Sequence, residues 1–361
     1  MSDTTPILEA RGLTRHFGGA ANFPFRRAAP IRAVDGVSFS VRRGETFAIV
    51  GESGCGKSTL VRLLLRLLTP TSGSVHYDGA DVTQTGAAGL RHLRREMQII
   101  FQDPFSSLNP RMTVGQLVGE PLAVHRIASG KARAAQVAEL LRRVGLLPEH
   151  ARRYPHEFSG GQRQRIGIAR ALACAPRLVI GDEPVSALDV SIRAQIINLL
   201  EDLKSEFDLT LVLVAHDLAL IRHTCDRVAV MYLGEIVELG DVERVFEYPA
   251  HPYTRALLAS IPVPVPAARA RRQLPQGDPP SPAAPPPGCR FHPRCPHAEQ
   301  VCRETRPLLT ERARGQFAAC HLAGRLPAPA QSSKLAPAKG DAGRRRLAIY
   351  HLRPQPAAGS R

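Results

Sequence analysis

Gly51-Glu52-Ser53-Gly54-Cys55-Gly56-Lys57-Ser58-Thr59 matches G-x-x-x-x-G-K-[ST], the pattern of a phosphate-binding loop. The apolar run Thr46–Val50 precedes it and is typical of a strand, and Leu60–Leu68 follows it and is typical of a helix. Strand, loop and helix in this order are the context that the motif requires. Backbone N–H groups and the helix N-terminus can then bind phosphate oxygens. We therefore expect nucleotide contacts from Gly51, Ser53, Gly54, Cys55, Gly56, Lys57, Ser58 and Thr59.

Two carboxylates end a second strand-like run, Leu178–Gly181. Beside a phosphate loop, Asp182 is placed to bind Mg²⁺ together with the Ser58 hydroxyl, and Glu183 to polarise an attacking water as general base. Lys57 would supply a cation to the outer phosphates. The alternative for the acidic pair is a solvated strand end without a function.

A histidine, His216, follows another strand-like run, Leu209–Ala215. An uncharged imidazole there can donate a hydrogen bond to a terminal phosphate. The alternative is a histidine that only stabilises the end of the strand.

Together with Phe158-Ser159-Gly160-Gly161-Gln162, these motifs resemble the ATP-binding subunits of ABC transporters. The resemblance implies that a signature motif opens a helix over Arg163–Cys174 and binds the γ-phosphate of ATP held by a partner subunit. It also implies that Gln102 senses Mg²⁺ and the membrane subunit, and that Asp189 ends the D-loop Ser186-Ala187-Leu188-Asp189. His216 matches the switch histidine of that family. The signature residues are Ser159, Gly160, Gly161 and Gln162.

An aromatic residue, Phe17, stands where this family places a ring against adenine, although a core position on the first strand is an equal alternative. Gly181 before Asp182 and Phe158 before Ser159 depart mildly from the family pattern, and neither removes a functional group. We therefore expect a chain that hydrolyses ATP. Because there is one phosphate loop, the chain would form one half of a dimeric ATP sandwich.

The alternation of strand-like and helix-like segments predicts an α/β fold. With the resemblance, it implies an ABC-type P-loop ATPase with a mostly parallel core sheet, an antiparallel β subdomain and a helical subdomain over about 103–176. The ATPase domain is expected over 1–260 and a Pro-rich linker over 261–288. A Cys-rich extension over 289–323 and a disordered basic tail over 324–361 would follow.

The charge is concentrated near the C-terminus. The formal net charge is +16, and Ile261–Arg361 contributes +12 of it (17 Lys and Arg against 5 Asp and Glu). Nucleic-acid machines more often carry such an excess on a folded surface, so we expect no nucleic-acid partner. A basic tail suits an anionic membrane leaflet, or it is merely solvated. No run approaches the about 18–20 apolar residues of a membrane helix, and the N-terminus is not a secretory signal, so a membrane role would need partner chains.

Four of the seven cysteines, Cys289, Cys295, Cys302 and Cys320, lie close together. A short segment with almost no apolar residues to bury suggests a cross-link, and a cytosolic location disfavours disulfides. A metal is then expected. Zinc usually binds more closely spaced cysteine pairs, but nearby histidines could replace a thiolate. A [4Fe–4S] cluster tolerates varied spacing, and the absence of any metal also stays open. The histidines are His292, His297 and His321.

A second resemblance bears on this tail. His251-Pro252-Tyr253 and the motifs around Cys289, Cys295 and Cys320 resemble the C-terminal extension of oligopeptide/dipeptide-type ATPase subunits, some of which carry an iron–sulfur cluster. The resemblance implies an importer subunit on the cytoplasmic face of the inner membrane. Its partners would be two permeases, a second and paralogous ATPase, and a solute-binding protein. The alternatives are an importer of nickel or another small solute, an exporter subunit, and a soluble ABC ATPase acting on ribosomes or DNA.

Overall fold

Two β-sheets organise the chain, for which the computed structural model describes residues 5–18, 29–186, 188–216, 218–261 and 277–327. Most of the predicted linker and the predicted tail beyond residue 327 lie outside these ranges. The smaller sheet is antiparallel, in the order β2-β1-β4-β5. Buried Leu8 and Ala10 alternate with more exposed neighbours along β1, as in a sheet with one covered face. The strands are β1 (Leu8–Phe17), β2 (Ile31–Val41), β4 (Ser72–Tyr77) and β5 (Ala80–Asp81).

The larger sheet has the order β11-β12-β10-β9-β3-β8-β7-β6 in the described part of the chain. Its pairs from β9 to β6 are all parallel, and its pairs from β11 to β9 are antiparallel. This confirms the predicted mostly parallel core. The strands are β3 (Thr46–Val50), β6 (Met97–Ile100), β7 (Leu178–Asp182), β8 (Thr210–Ala215), β9 (Arg227–Tyr232), β10 (Glu235–Asp241), β11 (Thr310–Ala313) and β12 (Gln316–Ala318).

Both faces of the parallel strands are covered. Every residue of β3, β7, β8 and β9 is buried, which explains why these strands read as continuous apolar runs rather than alternating ones. Phe47 and Ile49 of β3 belong to one core cluster, and Ala48 and Val50 belong to another. The first cluster includes α1 (Lys57–Leu64), and the second includes α8 (Leu218–Thr224) and α9 (Val242–Glu247).

The helical subdomain packs against the large sheet through one core cluster, which also includes Val179 of β7 and Leu211 of β8. Residues such as Leu117, Val137 and Ile166 pack together there, one from each of three successive helices. Among the described residues, no helix combines the length and apolarity needed to cross a membrane. The remaining helices are α2 (Ala87–Glu96), α3 (Pro104–Ser107), α4 (Val114–Val124), α5 (Gly130–Arg143), α6 (Gly160–Leu172), α7 (Val190–Phe207), α10 (Pro252–Ala259) and α11 (Gln300–Glu304).

The Cys-rich extension packs on the ATPase body. Strand β12 pairs with β10, and the Phe291 ring is buried against Tyr232 and Tyr253, with centroids 5.3 and 5.4 Å away. The fully buried Glu238 carboxylate accepts hydrogen bonds from the His251 N–H (2.9 Å) and from the Ala250 N–H and Gln316 Nε2 (2.8 Å each). The extension therefore shares the hydrophobic core of the ATPase. The expectation that this segment needs a cross-link because it lacks a core was wrong.

Candidate functional site

Four loops meet at one edge of the large sheet. Strands β3, β8, β7 and β6 are adjacent and parallel, so their carboxyl ends lie side by side. The first residues after β3, β8 and β7 are Gly51, His216 and Glu183, and Gln102 is the second residue after β6. This edge is where open α/β sheets bind ligands. Residues that are up to 165 positions apart in the chain, Gly51 and His216, are thereby brought to one place.

The phosphate loop closes around its own lysine. Lys57 is the first residue of α1 and is only 5 % exposed. Its Nζ donates to the carbonyl oxygens of Gly51 (2.8 Å) and Glu52 (2.9 Å). At Gly56 the backbone has φ +107°, and a Cβ there would collide with the carbonyl oxygen of Ala33, so only glycine fits. The loop thus presents its backbone at the start of a helix, as a phosphate site requires.

A hydroxyl and a carboxylate form an oxygen pair beside this loop. The Ser58 Oγ donates to Asp182 Oδ1 at 3.1 Å. Asp182 is buried, and burial raises the pKa of its carboxyl against the opposing effect of the Ser58 hydrogen bond. A bound cation would instead lower the pKa of Asp182, because it stabilises the charged carboxylate. Two hard oxygen donors at one point suit Mg²⁺.

Glu183 is the centre of a second polar group. Its Oε2 accepts a hydrogen bond from Gln102 Nε2 at 3.0 Å and lies 3.3 Å from His216 Nδ1. The backbone of Glu183 has φ +49°, a left-handed conformation that is rare outside glycine and frequent at functional sites. Its N–H donates to the Val214 carbonyl, which fixes the turn. The structure thus brings the three predicted catalytic residues into contact.

The signature motif forms the start of α6. Ser159 is the N-cap, its Oγ accepts from the Gln162 N–H (3.4 Å), and Gln162 Oε1 accepts from the Ser159 N–H (3.1 Å). The helix begins at Gly160 and ends at Leu172, so the predicted span Arg163–Cys174 started three residues too late. A Cβ on Gly161 would lie 2.7 Å from Ile192 Cγ2. Among the described residues, no hydrogen bond joins Ser159, Gly160, Gly161 or Gln162 to Gly51–Thr59.

The other two predicted nucleotide contacts lie at element ends. Phe17 is the last residue of β1 and is half-buried, with the Arg15 guanidinium 4.8 Å from its ring centroid. It is therefore not a fully buried core residue. Asp189 is exposed and is the N-cap of α7, without a side-chain capping bond. Ala187 of the D-loop and Asp217 after His216 lie outside the described ranges.

The extension encloses a cavity that we call the thiol chamber. All four cysteines that were predicted as metal ligands line it. Burial raises the pKa of Cys289 to about 12 and that of Cys295 to about 11, and it also raises the pKa of Cys320. His292 and His321 line the same chamber, whereas His297 is not among its lining residues. The four cysteines are Cys289, Cys295, Cys302 and Cys320.

One histidine of the thiol chamber, His251, lacks a hydrogen-bond partner on one side. His251 is 1 % exposed, and its Nδ1 accepts from the Tyr253 N–H at 3.0 Å, so the proton of the neutral ring lies on Nε2. That buried Nε2 has no partner. Within the described ranges, however, no group of three or more His, Cys, Asp or Glu side chains stands in an arrangement that could hold a metal ion.

Sequence reasoning missed two contacts of the phosphate loop. Arg294 binds the Glu52 carboxylate, and the Tyr253 hydroxyl accepts from the Glu52 N–H. Tyr253 stood in the motif His251-Pro252-Tyr253, which carried the resemblance but gave no hint of a role. Nothing local to Arg294 indicated its partner, which lies 242 positions away.

Known protein families match both parts of the chain. A family model described as "ABC transporter" matches residues 34–186, and one described as "Oligopeptide/dipeptide transporter, C-terminal region" matches residues 237–302. A protein of Sinorhizobium fredii, the "Probable peptide ABC transporter ATP-binding protein y4tS", is 52 % identical over 93 % of this chain and 94 % of its own length. "Oligopeptide transport ATP-binding protein AppF" of Bacillus subtilis is 51 % identical over 88 % of this chain and 97 % of its own.

Solved structures agree. The dimeric post-hydrolysis structure of the ATP-binding cassette MJ0796 with ADP and Pi is 30 % identical, with a TM-score of 0.58 over 65 % of this chain and 98 % of that one. The cbiO1 subunit from Clostridium perfringens, part of the ABC transporter complex cbiONQ, is also 30 % identical, with a TM-score of 0.57 over 67 % of this chain and 90 % of that one. The phosphate loop, the paired carboxylates and these likenesses agree, and the chain therefore belongs to the ATP-hydrolysing, ATP-binding proteins of ABC transporters.

Proposed function

We propose that this chain powers the uptake of oligopeptides or dipeptides through two partner permeases, at the cytoplasmic face of the inner membrane. The main supporting observation is the contact of Glu183 with both Gln102 and His216 beside a complete phosphate loop. The substrate class rests on the oligopeptide/dipeptide C-terminal region and on the printed names of the relatives. A solute-binding protein and a second, paralogous ATPase subunit would complete the transporter.

Each residue of the site has a role in this proposal. Lys57 and the N–H groups of the loop hold the β- and γ-phosphates. Ser58 and Asp182, with Gln102 nearby, would hold Mg²⁺, which screens the charge of the phosphates when bound. Glu183 orients a water and takes its proton, and His216, whose Nδ1 lies 3.3 Å from the same carboxylate, donates to the γ-phosphate.

The signature residues would act on the partner subunit. Ser159, Gly160 and Gly161 place small residues at the N-terminus of α6, which suits an anion. Within the part of the chain that the structure describes, they and Gln162 form no hydrogen bond with the loop of their own chain. Two chains facing each other would therefore enclose two nucleotides, with Asp189 at the contact between them. Closure of this pair would drive the permeases, and hydrolysis would reset them. Phe17 would contact the adenine ring.

Peptide uptake tests the proposed substrate. Cells whose copy of this gene is disrupted should lose uptake of a labelled oligopeptide and regain it with the wild-type chain, but not with Glu183→Gln. Purification of the tagged chain from gently solubilised membranes should recover two permeases, a second ATPase and a solute-binding protein. A binding protein that takes nickel or another small solute would replace the peptide assignment. Ribosomes or DNA-repair factors without permeases would overturn the transporter proposal.

We further propose that the thiol chamber holds a metal centre, a [4Fe–4S] cluster or, as the alternative, zinc. Among the described residues, no three ligating side chains are already arranged around a common point, which speaks against a metal. The four cysteines that line one cavity speak for it. We give the lining more weight, because a cysteine side chain is redirected by one rotation about χ1. The orphaned Nε2–H of His251 also fits, since it would donate to metal-bound sulfur.

Cys295→Ser tests the metal centre. We expect bound iron, measured by elemental analysis after anaerobic purification, to fall from about four atoms per chain to below one, because a cluster needs four cysteine ligands. ATP binding at Lys57 should stay within a few-fold of the wild type. Cys174→Ser, at a buried cysteine shortly after the end of α6, is the matched control and should keep its iron. Unchanged iron in Cys295→Ser, or no metal in the wild type, would refute the proposal, and stoichiometric zinc would decide for the alternative.

The domain division stays part of this proposal. The ATPase body over 1–260 and the extension over 289–323 would be joined by the Pro-rich segment 261–288. The basic tail from residue 324 would serve as a loose contact with anionic lipid.

A further inference from the structure

All three polar groups of Glu52, the second residue of the phosphate loop, are bonded. Its carbonyl oxygen accepts from Lys57 Nζ at 2.9 Å. Its N–H donates to the Tyr253 hydroxyl at 2.9 Å. Its carboxylate binds the Arg294 guanidinium through two parallel hydrogen bonds, of 2.9 and 3.2 Å. Glu52 thus connects the lysine that faces the phosphates with two residues outside the loop.

Both outside partners are rigidly held. The Arg294 side chain is 8 % exposed, and its Nη1 also lies 3.5 Å from the Tyr232 hydroxyl. Tyr253 is fully buried, with its ring centroid 4.6 Å from that of Tyr232. Phe291 packs against both tyrosines. A bidentate arginine–carboxylate pair on such a support fixes geometry as well as charge.

The Arg294–Glu52 pair also affects the charge at the phosphate site. Glu52 carries a negative charge in a loop that must bind a triphosphate. In a partly buried site, the carboxylate and the phosphates would repel each other more strongly than in water. Arg294 neutralises the carboxylate and holds it through two hydrogen bonds. The ATP site thereby depends on a residue of the Cys-rich extension, which the family's phosphate-loop pattern does not include.

We propose that Arg294 is a positioning residue for ATP binding, which acts by neutralising and holding Glu52, with Tyr253 fixing the backbone of the same residue. The inference rests on the ATP site alone and not on the transported solute. A failure of the peptide assignment would therefore leave it standing, and it can fail while peptide uptake is confirmed.

The test is a double-mutant cycle on the purified full-length chain, with KM and kcat for ATP and the thermal midpoint as readouts. Arg294→Gln should raise KM for ATP about 10-fold and change kcat by less than about 2-fold. Adding Glu52→Gln to it should bring KM back to within about 3-fold of the wild type, because the uncompensated carboxylate is gone. Added salt should reduce the effect of Arg294→Gln.

The controls separate positioning from folding. Arg306→Gln removes another arginine of the extension, which pairs with Glu235 at 2.7 Å and does not touch the loop, and it should leave KM unchanged. Arg294→Lys keeps a cation and should fold, with KM raised less than 3-fold; a rise as large as in Arg294→Gln would refute the charge argument even if Arg294→Gln cannot be purified. An unchanged KM in Arg294→Gln, or additive losses in the double variant, would overturn the proposal.

Discussion

Glu183→Gln is expected to lower ATP hydrolysis about 100- to 1,000-fold while leaving ATP binding intact. The amide has the shape of the carboxylate but cannot take a proton from the attacking water. The substitution should not disturb the fold, because the N–H of Glu183 bonds the Val214 carbonyl whatever the side chain is. Its remaining oxygen can still accept the hydrogen bond from Gln102 Nε2.

The measurement is phosphate release at saturating ATP, together with size-exclusion chromatography in the presence of ATP. Because ATP stays bound, Glu183→Gln should form a stable dimer that the wild type forms only transiently. Glu149→Gln, at an exposed site in the helical subdomain, is the matched control and should turn over normally. Normal turnover in Glu183→Gln would remove Glu183 from the role of general base.

The arrangement of the candidate ATP site was largely predictable, because each of its parts follows a strand that the sequence marks clearly. Thr46–Val50, Leu178–Asp182 and Thr210–Ala215 are short apolar runs, and each is followed by polar residues. Parallel strands place their carboxyl ends at one edge, so the proximity of Glu183, His216 and the loop followed without coordinates. What the strands could not indicate was the left-handed backbone of Glu183, since that conformation depends on the turn and not on the residue type.

The extension was the part that local patterns described least well. Its strand β12 has only three residues, too few to show an alternation of apolar and polar side chains in the sequence. The strand forms through its pairing with β10. Phe291 lies between Pro287 and Pro293, in a segment typical of turns. The local sequence does not indicate that its ring is buried against Tyr232 and Tyr253. Contacts of this kind join segments that are far apart in the chain, and local patterns in a single sequence do not predict them.

Lys57→Met is expected to weaken ATP binding at least about 100-fold, because charge-assisted hydrogen bonds to phosphate contribute about 1.5–3 kcal/mol each. Methionine keeps the unbranched, buried stem of the side chain and removes only the charge. The fold should survive: the carbonyl oxygens of Gly51 and Glu52 lose a donor, but a desolvated ammonium is removed at the same time. The readouts are the Kd of a fluorescent ATP analogue and the thermal midpoint.

The matched control for Lys57→Met is Lys131→Met, at an exposed position near the start of α5, which should bind ATP like the wild type. Taken with Glu183→Gln, the variant separates two stages of the cycle. Glu183→Gln should bind ATP and dimerise without hydrolysis, whereas Lys57→Met should do neither, because the phosphates that bring two chains together are no longer held. If Lys57→Met bound ATP normally yet failed to hydrolyse it, the lysine would act on the transition state alone, and the hold on the ground-state phosphates would belong to the loop backbone.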